Sequence, residues 1–239
     1  MIIQRLIISI NIKLVIENKW VRAFGGNMGK EQNVIEFYLL CNKLKDVVRS
    51  GWQKWGVDRF RVESIAEHVY GTQMLAIAMW SEYKYDIDLY KTLTMLAVHE
   101  MEEIIIGDLT IFETAKESKQ EKGHIAVNNI LSNLSNAENI KNLIHEFDER
   151  KTKEAKFAYF CDKLECDIQA KLYDEQNCVD LNNQENNKIM NDKDVKELLN
   201  KGLSWSDMWI EYGQKKYNYD DNFMAVSNFI ENKYLENEK

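Results

Sequence analysis

The spacing of apolar positions divides the chain into helices. Residues 31–48 carry Val34, Phe37, Tyr38, Cys41, Leu44 and Val48 at helical intervals with lysines opposite. This predicts an amphipathic helix that stops near Gly51. Ser64-Ile65-Ala66-Glu67 has capping-box spacing, so a second helix is expected from Ser64 to about Tyr83. A connection at 86–88 leads to a third helix over 89–106. The intervals 125–134 and 138–147 read as two shorter helices. Thr152 can cap a long one reaching about Tyr173, striped by Phe157, Phe160, Cys161, Leu164, Ile168 and Leu172. Three more are expected near 193–201, 204–217 and 221–236, with aromatics that pack onto the body or form a subunit contact. The charged segment 109–123 and the Asn-rich segment 175–193 read as connections. The pattern predicts an all-α fold.

The stretch 93–108, LTMLAVHEMEEIIIGD, is apolar almost all the way round a helix, which is the mark of a buried one. Yet His99, Glu100 and Glu103 fall within roughly a third of its circumference. Buried carboxylates without partners are costly, and a bound cation offsets that cost. The residues alone leave two readings open. One is a pair of metal ligands with a base; the other is a partly exposed helix whose acids face water.

Composition narrows the class. The 239 residues include no proline and 10 glycines, which favours long helices over a strand-rich fold. With 45% hydrophobic and 29% charged residues, the chain is globular. A net charge of −8 argues against a surface that coats nucleic acid polymers, without excluding a small nucleotide. The four cysteines, Cys41, Cys161, Cys166 and Cys178, form no CxxC pair, so reduced thiols and a cytoplasmic location are expected. The apolar run at the start is interrupted by Arg5, Asn11 and Lys13, too broken for a membrane span or a signal peptide. Residues 1–27 are expected to be a dispensable extension ahead of a true start at Met28. Residues 28–239 are then one domain, with its core at 34–175.

Other positions bear on chemistry. Trp52, Trp55, Arg59 and Arg61 cluster in a connection, where Trp beside Arg either holds a ring and a phosphate or packs on its own domain. His68 shares a stripe with Leu75 and Met79, which puts its imidazole on the core side. Asp162 flanks an apolar stripe, either as a solvated acid or as a third helix-borne ligand. Lys116, Lys119 and Lys122 either steer phosphate or line a solvated loop. His124 and His145 lie in polar contexts and are expected at the surface.

The series His68, His99-Glu100 and Asp162, all on predicted helices, resembles the HD superfamily of metal-dependent phosphohydrolases. Within it, the chain is similar to the branch of bacterial 5′-deoxynucleotidases and related single-HD-domain hydrolases. ESIAEHVYG, HEMEEIIIGDLT and FCDKLECDIQA resemble the three ligand segments of that branch, and Arg49-Ser50-Gly51-Trp52 resembles the Arg and Trp ahead of them. The resemblance covers roughly residues 34–175. It implies a compact helical HD bundle with extra C-terminal helices. It also implies a metal set of His68, His99, Glu100 and Asp162. Those donors suit one divalent transition metal, Mn²⁺, Co²⁺, Fe²⁺ or Zn²⁺. Glu103 would serve as acid or base, Asp108 would hold the sugar hydroxyl, and Arg49, Trp52 and Arg61 would bind substrate. The implied reaction is removal of the 5′-phosphate from a (deoxy)nucleoside monophosphate. Alternatives are an HD hydrolase of nucleoside triphosphates or phosphodiesters, and a weakened nucleotide-binding module. Expected partners are a nucleotide and, from the tail aromatics, a second copy in a homodimer, with no nucleic acid polymer and no membrane. Two departures stand out. Glu100 replaces the usual Asp, and the Trp52-to-His68 spacing is about two residues long, so Trp55 is a second candidate for the ring contact.

Overall fold

One long helix organises the packing. In the computed structural model, which describes residues 29–109, 116–231, 233 and 235, α8 is Lys153–Glu175. Ahead of it come α1 (Lys30–Asn42), α2 (Ser50–Lys54), α3 (Ile65–Tyr83), α4 (Leu89–Val98), α5 (Glu103–Ile106), α6 (Lys116–Leu131) and α7 (Ala137–Glu149). After it come α9 (Lys193–Asn200), α10 (Trp205–Lys216) and α11 (Asp221–Glu231). Helices α3, α4, α7, α10 and α11 all pack against α8. Among the described residues there is no strand, only an isolated bridge between Val48 and Ser64. The fold is all-α, as the periodicity predicts. Residues 1–27 lie outside the described residues, and so does their expected status. Among the described residues, no helix is long and apolar enough to cross a membrane.

Local sequence explains the helix starts. Ser64 and Glu67 form a reciprocal capping box, which satisfies two backbone donors at the start of α3. Asp88 and Thr152 cap α4 and α8 by accepting from backbone N–H groups three residues on. Two apolar clusters flank α8. Phe157, Cys161 and Leu164 meet Ala76, Met79, Leu96 and Phe223 in one. Tyr173 meets Trp52, Trp55 and Trp205 in the other. A third, with Met101, Val127, Leu131 and Ile144, lies under α6 and α7. Of the tail aromatics, Trp205, Tyr212 and Phe223 are buried within the chain and Phe229 is exposed. Packing onto the body therefore accounts for most of them.

Several boundaries differ from expectation. The first helix ends at Asn42, and the Arg49–Trp52 region starts a new short helix with Gly51 inside it. Val34 and Tyr38 of α1 are exposed, so that helix buries only part of its expected stripe. The helix expected over 89–106 breaks after Val98. Backbone bonds from Met101 to Val98, from Glu103 to Glu100 and from Ile104 to Met101 wind this turn on i→i−3 spacing. Such tightening inside a helix often marks a functional site, and here it carries His99 and Glu100. The segment expected to loop over 109–123 is helical from Lys116, and 188–191 is a 3₁₀ turn anchored by buried Ile189.

Candidate metal centre and substrate pocket

The sequence-predicted ligands converge from three elements. His68 comes from the first turn of α3, His99 and Glu100 from the tight turn after α4, and Asp162 from the middle of α8. One donor atom from each can be chosen so that all lie within 4.8 Å of one another. His68 Nε2 stands 3.2 Å from Asp162 Oδ1 and 3.9 Å from Glu100 Oε1. His99 Nε2 is 3.8 Å from Glu100 Oε1 and 3.9 Å from Asp162 Oδ1. Asp162, read from sequence as a solvated acid or a ligand, is 3% exposed, which removes the solvated reading.

The outer nitrogens of both imidazoles are already committed. His99 Nδ1 donates to the Leu96 carbonyl at 2.7 Å, and a carbonyl only accepts, so Nδ1 holds the hydrogen. His68 Nδ1 pairs with Glu165 Oε2. Both Nε2 lone pairs then face the cluster. His68 Nε2, His99 Nε2 and Asp162 Oδ1 are buried with no hydrogen-bond partner. Buried polar atoms are nearly always satisfied, so three such atoms converging on one point call for a shared proton or a bound cation. Histidines fixed through the far nitrogen are the usual support of a metal ligand. Two imidazole nitrogens and two carboxylates fit a divalent metal ion.

Electrostatics agree. Burial pushes the Glu100 carboxyl up, but His99, Lys119 and Arg49 outweigh it and hold it at about 2. Burial likewise opposes ionisation of Asp162, yet Lys163 and the two imidazoles keep it well below the usual carboxylate range. Burial and Arg49 would lower His68, but Glu165 and Asp162 raise it to about 9. The two acids thus demand positive charge, which a proton or a cation can supply.

Glu165 escaped the sequence reading. Its signal was present: it stands three residues after Asp162, on the same turn of α8. Gly71 makes room for it, since a Cβ there would fall 2.5 Å from Glu165 Oε1.

The other predicted residues separate. Arg49 is close to the cluster, with Nη1 3.4 Å from Glu100 Oε1 and Nη2 2.9 Å from Cys166 Sγ. Asp108 accepts from the Ser50 backbone N–H at 2.7 Å. Glu103 is buried; Oε1 accepts from Lys119 Nζ at 3.1 Å and Oε2 has no partner. Burial, then the charges of Glu100 and Asp108, push its carboxyl well above the usual range. Trp52 is not open to a ligand. It is 4% exposed, its Nε1 donates to Glu63 at 2.7 Å, and Tyr173, Trp205 and Trp209 meet its ring edge-on. Trp55 is buried in the same cluster, so neither Trp makes the expected ring contact. The side chain of Arg61 is 77% exposed and paired with Glu67. These residues read as ligand contacts because a Trp-Arg pair in a connection suits either role, and the core took the indoles.

A pocket of about 360 Å³ opens onto the cluster. His99, Glu100 and Asp162 line it, and Lys119 and Lys163 add positive charge. His124, expected at the surface, also lines it and pairs with Asp148 at 3.0 Å.

A profile of the HD domain matches residues 41–202, which is more than half of the chain. The chain belongs to the HD domain family. Within this family it is 32% identical to 5′-deoxynucleotidase HDDC2 of Dictyostelium discoideum over 152 residues, covering 60% of this chain and 79% of that one. It is 33% identical to 5′-deoxynucleotidase hdd1 of Schizosaccharomyces pombe, over 58% of this chain and 71% of the relative. A solved Pyrococcus horikoshii protein shares the fold of this HD domain chain with a TM-score of 0.58, at 22% identity, over 82% of this chain and 98% of its own.

Proposed function

We propose that this HD domain protein is a metal-dependent phosphohydrolase that removes the 5′-phosphate from deoxynucleoside monophosphates. The convergence of three unpartnered buried donor atoms from His68, His99 and Asp162 carries the metal part of this reading. The relatives named 5′-deoxynucleotidase support the substrate part. His68, His99, Glu100 and Asp162 would hold one Mn²⁺, Co²⁺, Fe²⁺ or Zn²⁺ ion, since mixed imidazole and carboxylate donors suit these better than Mg²⁺ or Ca²⁺. When bound, the ion supplies Lewis-acid stabilisation of the phosphoryl group and lowers the pKa of water.

The rest of the chemistry belongs to the side chains. Lys119 and Lys163 line the pocket and favour a doubly charged phosphate there. Arg49 adds a fixed charge behind Glu100. Glu103, whose carboxyl is pushed well above the usual range by burial, is the group that would give a proton to the leaving 5′-oxygen. Asp108 is pinned by Ser50 and has acceptor capacity left for the sugar 3′-hydroxyl.

The test combines metal analysis of the purified protein with phosphate release from deoxynucleoside mono-, di- and triphosphates. Release confined to monophosphates and abolished by His99→Ala supports the reading. Turnover of triphosphates alone, or none with any metal, overturns it.

A further inference from the structure

Lys163 directly follows the candidate ligand Asp162 on α8. Adjacent side chains on a helix point about 100° apart and do not face each other. Even so, Lys163 Nζ folds back to 2.8 Å from Asp162 Oδ2. The pair is therefore not a by-product of helical geometry. Nor is it forced by burial, since the lysine side chain is 29% exposed and lines the pocket. The Tyr159 ring, with its centre 5.4 Å from Nζ, favours a cation at this place. The two oxygens of Asp162 are thus unequal. Oδ2 accepts from an ammonium. Oδ1 is buried without a hydrogen-bond partner, 3.2 Å from His68 Nε2 and 3.9 Å from His99 Nε2.

We propose that Lys163 holds back the second oxygen of Asp162, so that this ligand offers a metal ion Oδ1 alone and a coordination place stays open for the substrate phosphate. The inference rests on the reading of the site as a metal-dependent phosphohydrolase. A free carboxylate can bind a cation through one oxygen or both. A charge-assisted hydrogen bond on Oδ2 sets the first mode. An ammonium has three donors, and Asp162 uses one. Another is left for a phosphate oxygen in the pocket that Lys163 lines. Lys119, which lines the same pocket, does not share this role, because its Nζ pairs with Glu103 at 3.1 Å.

The experiment loads the full-length protein with Co²⁺ and compares wild type with Lys163→Met and Lys163→Arg. Met keeps the apolar stem and removes the charge, and circular dichroism checks the fold. The visible Co²⁺ absorption weakens as the coordination number rises, so it reports whether Asp162 brings in its second oxygen. Titration with inorganic phosphate, followed on the same band, reports the open place without turnover. In Lys163→Met the band is expected to weaken and Co²⁺ to bind at least as tightly as in wild type. Phosphate is expected to bind about tenfold less tightly, the worth of one hydrogen bond to a charged group. Lys163→Arg, which keeps a cation, is expected to retain the wild-type band and most of the phosphate affinity. Should Lys163→Met not fold, Lys163→Ala gives the same readings. An unchanged band in the uncharged variant overturns the proposal even if phosphate affinity falls, because the lysine is then only a charge near the pocket. Weaker Co²⁺ binding overturns it too, since Lys163 then merely braces Asp162. A weakened band in Lys163→Arg does the same. Wild type that takes up no Co²⁺ sinks the metal reading itself, and this inference with it.

Discussion

Glu165 on α8 fixes the ring of His68 on α3 through Nδ1, and by doing so aims Nε2 at the donors of Glu100 and Asp162. The pairing crosses 97 residues of sequence and is buried. It makes Glu165 a positioning residue for the candidate metal centre. Glu165→Ala should lower metal affinity by roughly 10–100-fold, the range for losing such outer partners. Glu165→Gln, which keeps an acceptor for the imidazole N–H, should recover part of it. Competition with a chromophoric chelator reads the affinity, and circular dichroism checks the fold. Unchanged affinity in Glu165→Ala would remove Glu165 from the site.

Gly71 offers an independent check on the same pairing. An added methyl at this position would meet the Glu165 carboxylate and its Cγ. Gly71→Ala should push Glu165 off His68 and weaken metal binding, although Ala favours the helix more than Gly by about 1 kcal/mol. The expected outcome is a variant whose helix content is retained while its metal content falls. Elemental analysis after gel filtration decides it.

The candidate ligand set was legible because three separated segments each carried a helix-borne His, Glu or Asp in an apolar setting. Burial of a polar residue is the costly event that chemistry must justify. The capping box at Ser64 and the cap at Thr152 were legible for a local reason, since each needs only four residues of chain. The break after Val98 was not. The 3.6-residue pattern continues through His99–Glu102, while the backbone there turns to i→i−3 bonds that no apolar spacing announces. Trp52 and Trp55 were ambiguous in sequence because an indole serves a core and a ligand pocket equally well.

Glu103 and Glu102 can be told apart. Glu102 lines the pocket, while Glu103 lies buried beside Lys119. If Glu103 supplies the proton to the leaving oxygen, Glu103→Gln should lower kcat about 10²–10⁴-fold, the usual worth of a general acid. Metal content and KM should stay near wild type. Glu102→Gln should cost much less. Steady-state kinetics on a deoxynucleoside monophosphate make the comparison, and the reverse ranking would move the acid to Glu102.

Asp167 gives a pH-dependent prediction away from the metal centre. Its carboxyl is 2% exposed and accepts from the Tyr219 hydroxyl at 3.2 Å. Burial pushes it well above the usual carboxylate range, against the smaller opposing pull of that hydrogen bond. Gly213 lets it pack this tightly, since a Cβ there would stand 2.7 Å from Asp167 Oδ2. With the folded value above the unfolded one, the group's contribution to stability is fully present below the unfolded pKa of about 3.9. That contribution is lost as pH rises toward the folded value. Asp167→Asn has nearly the same shape and cannot ionise. The variant should therefore match wild type near pH 4 and melt at a higher temperature near pH 8. Thermal denaturation at both values tests the sign, and a variant less stable at pH 8 than at pH 4 relative to wild type would show that the charged form is the one the fold prefers.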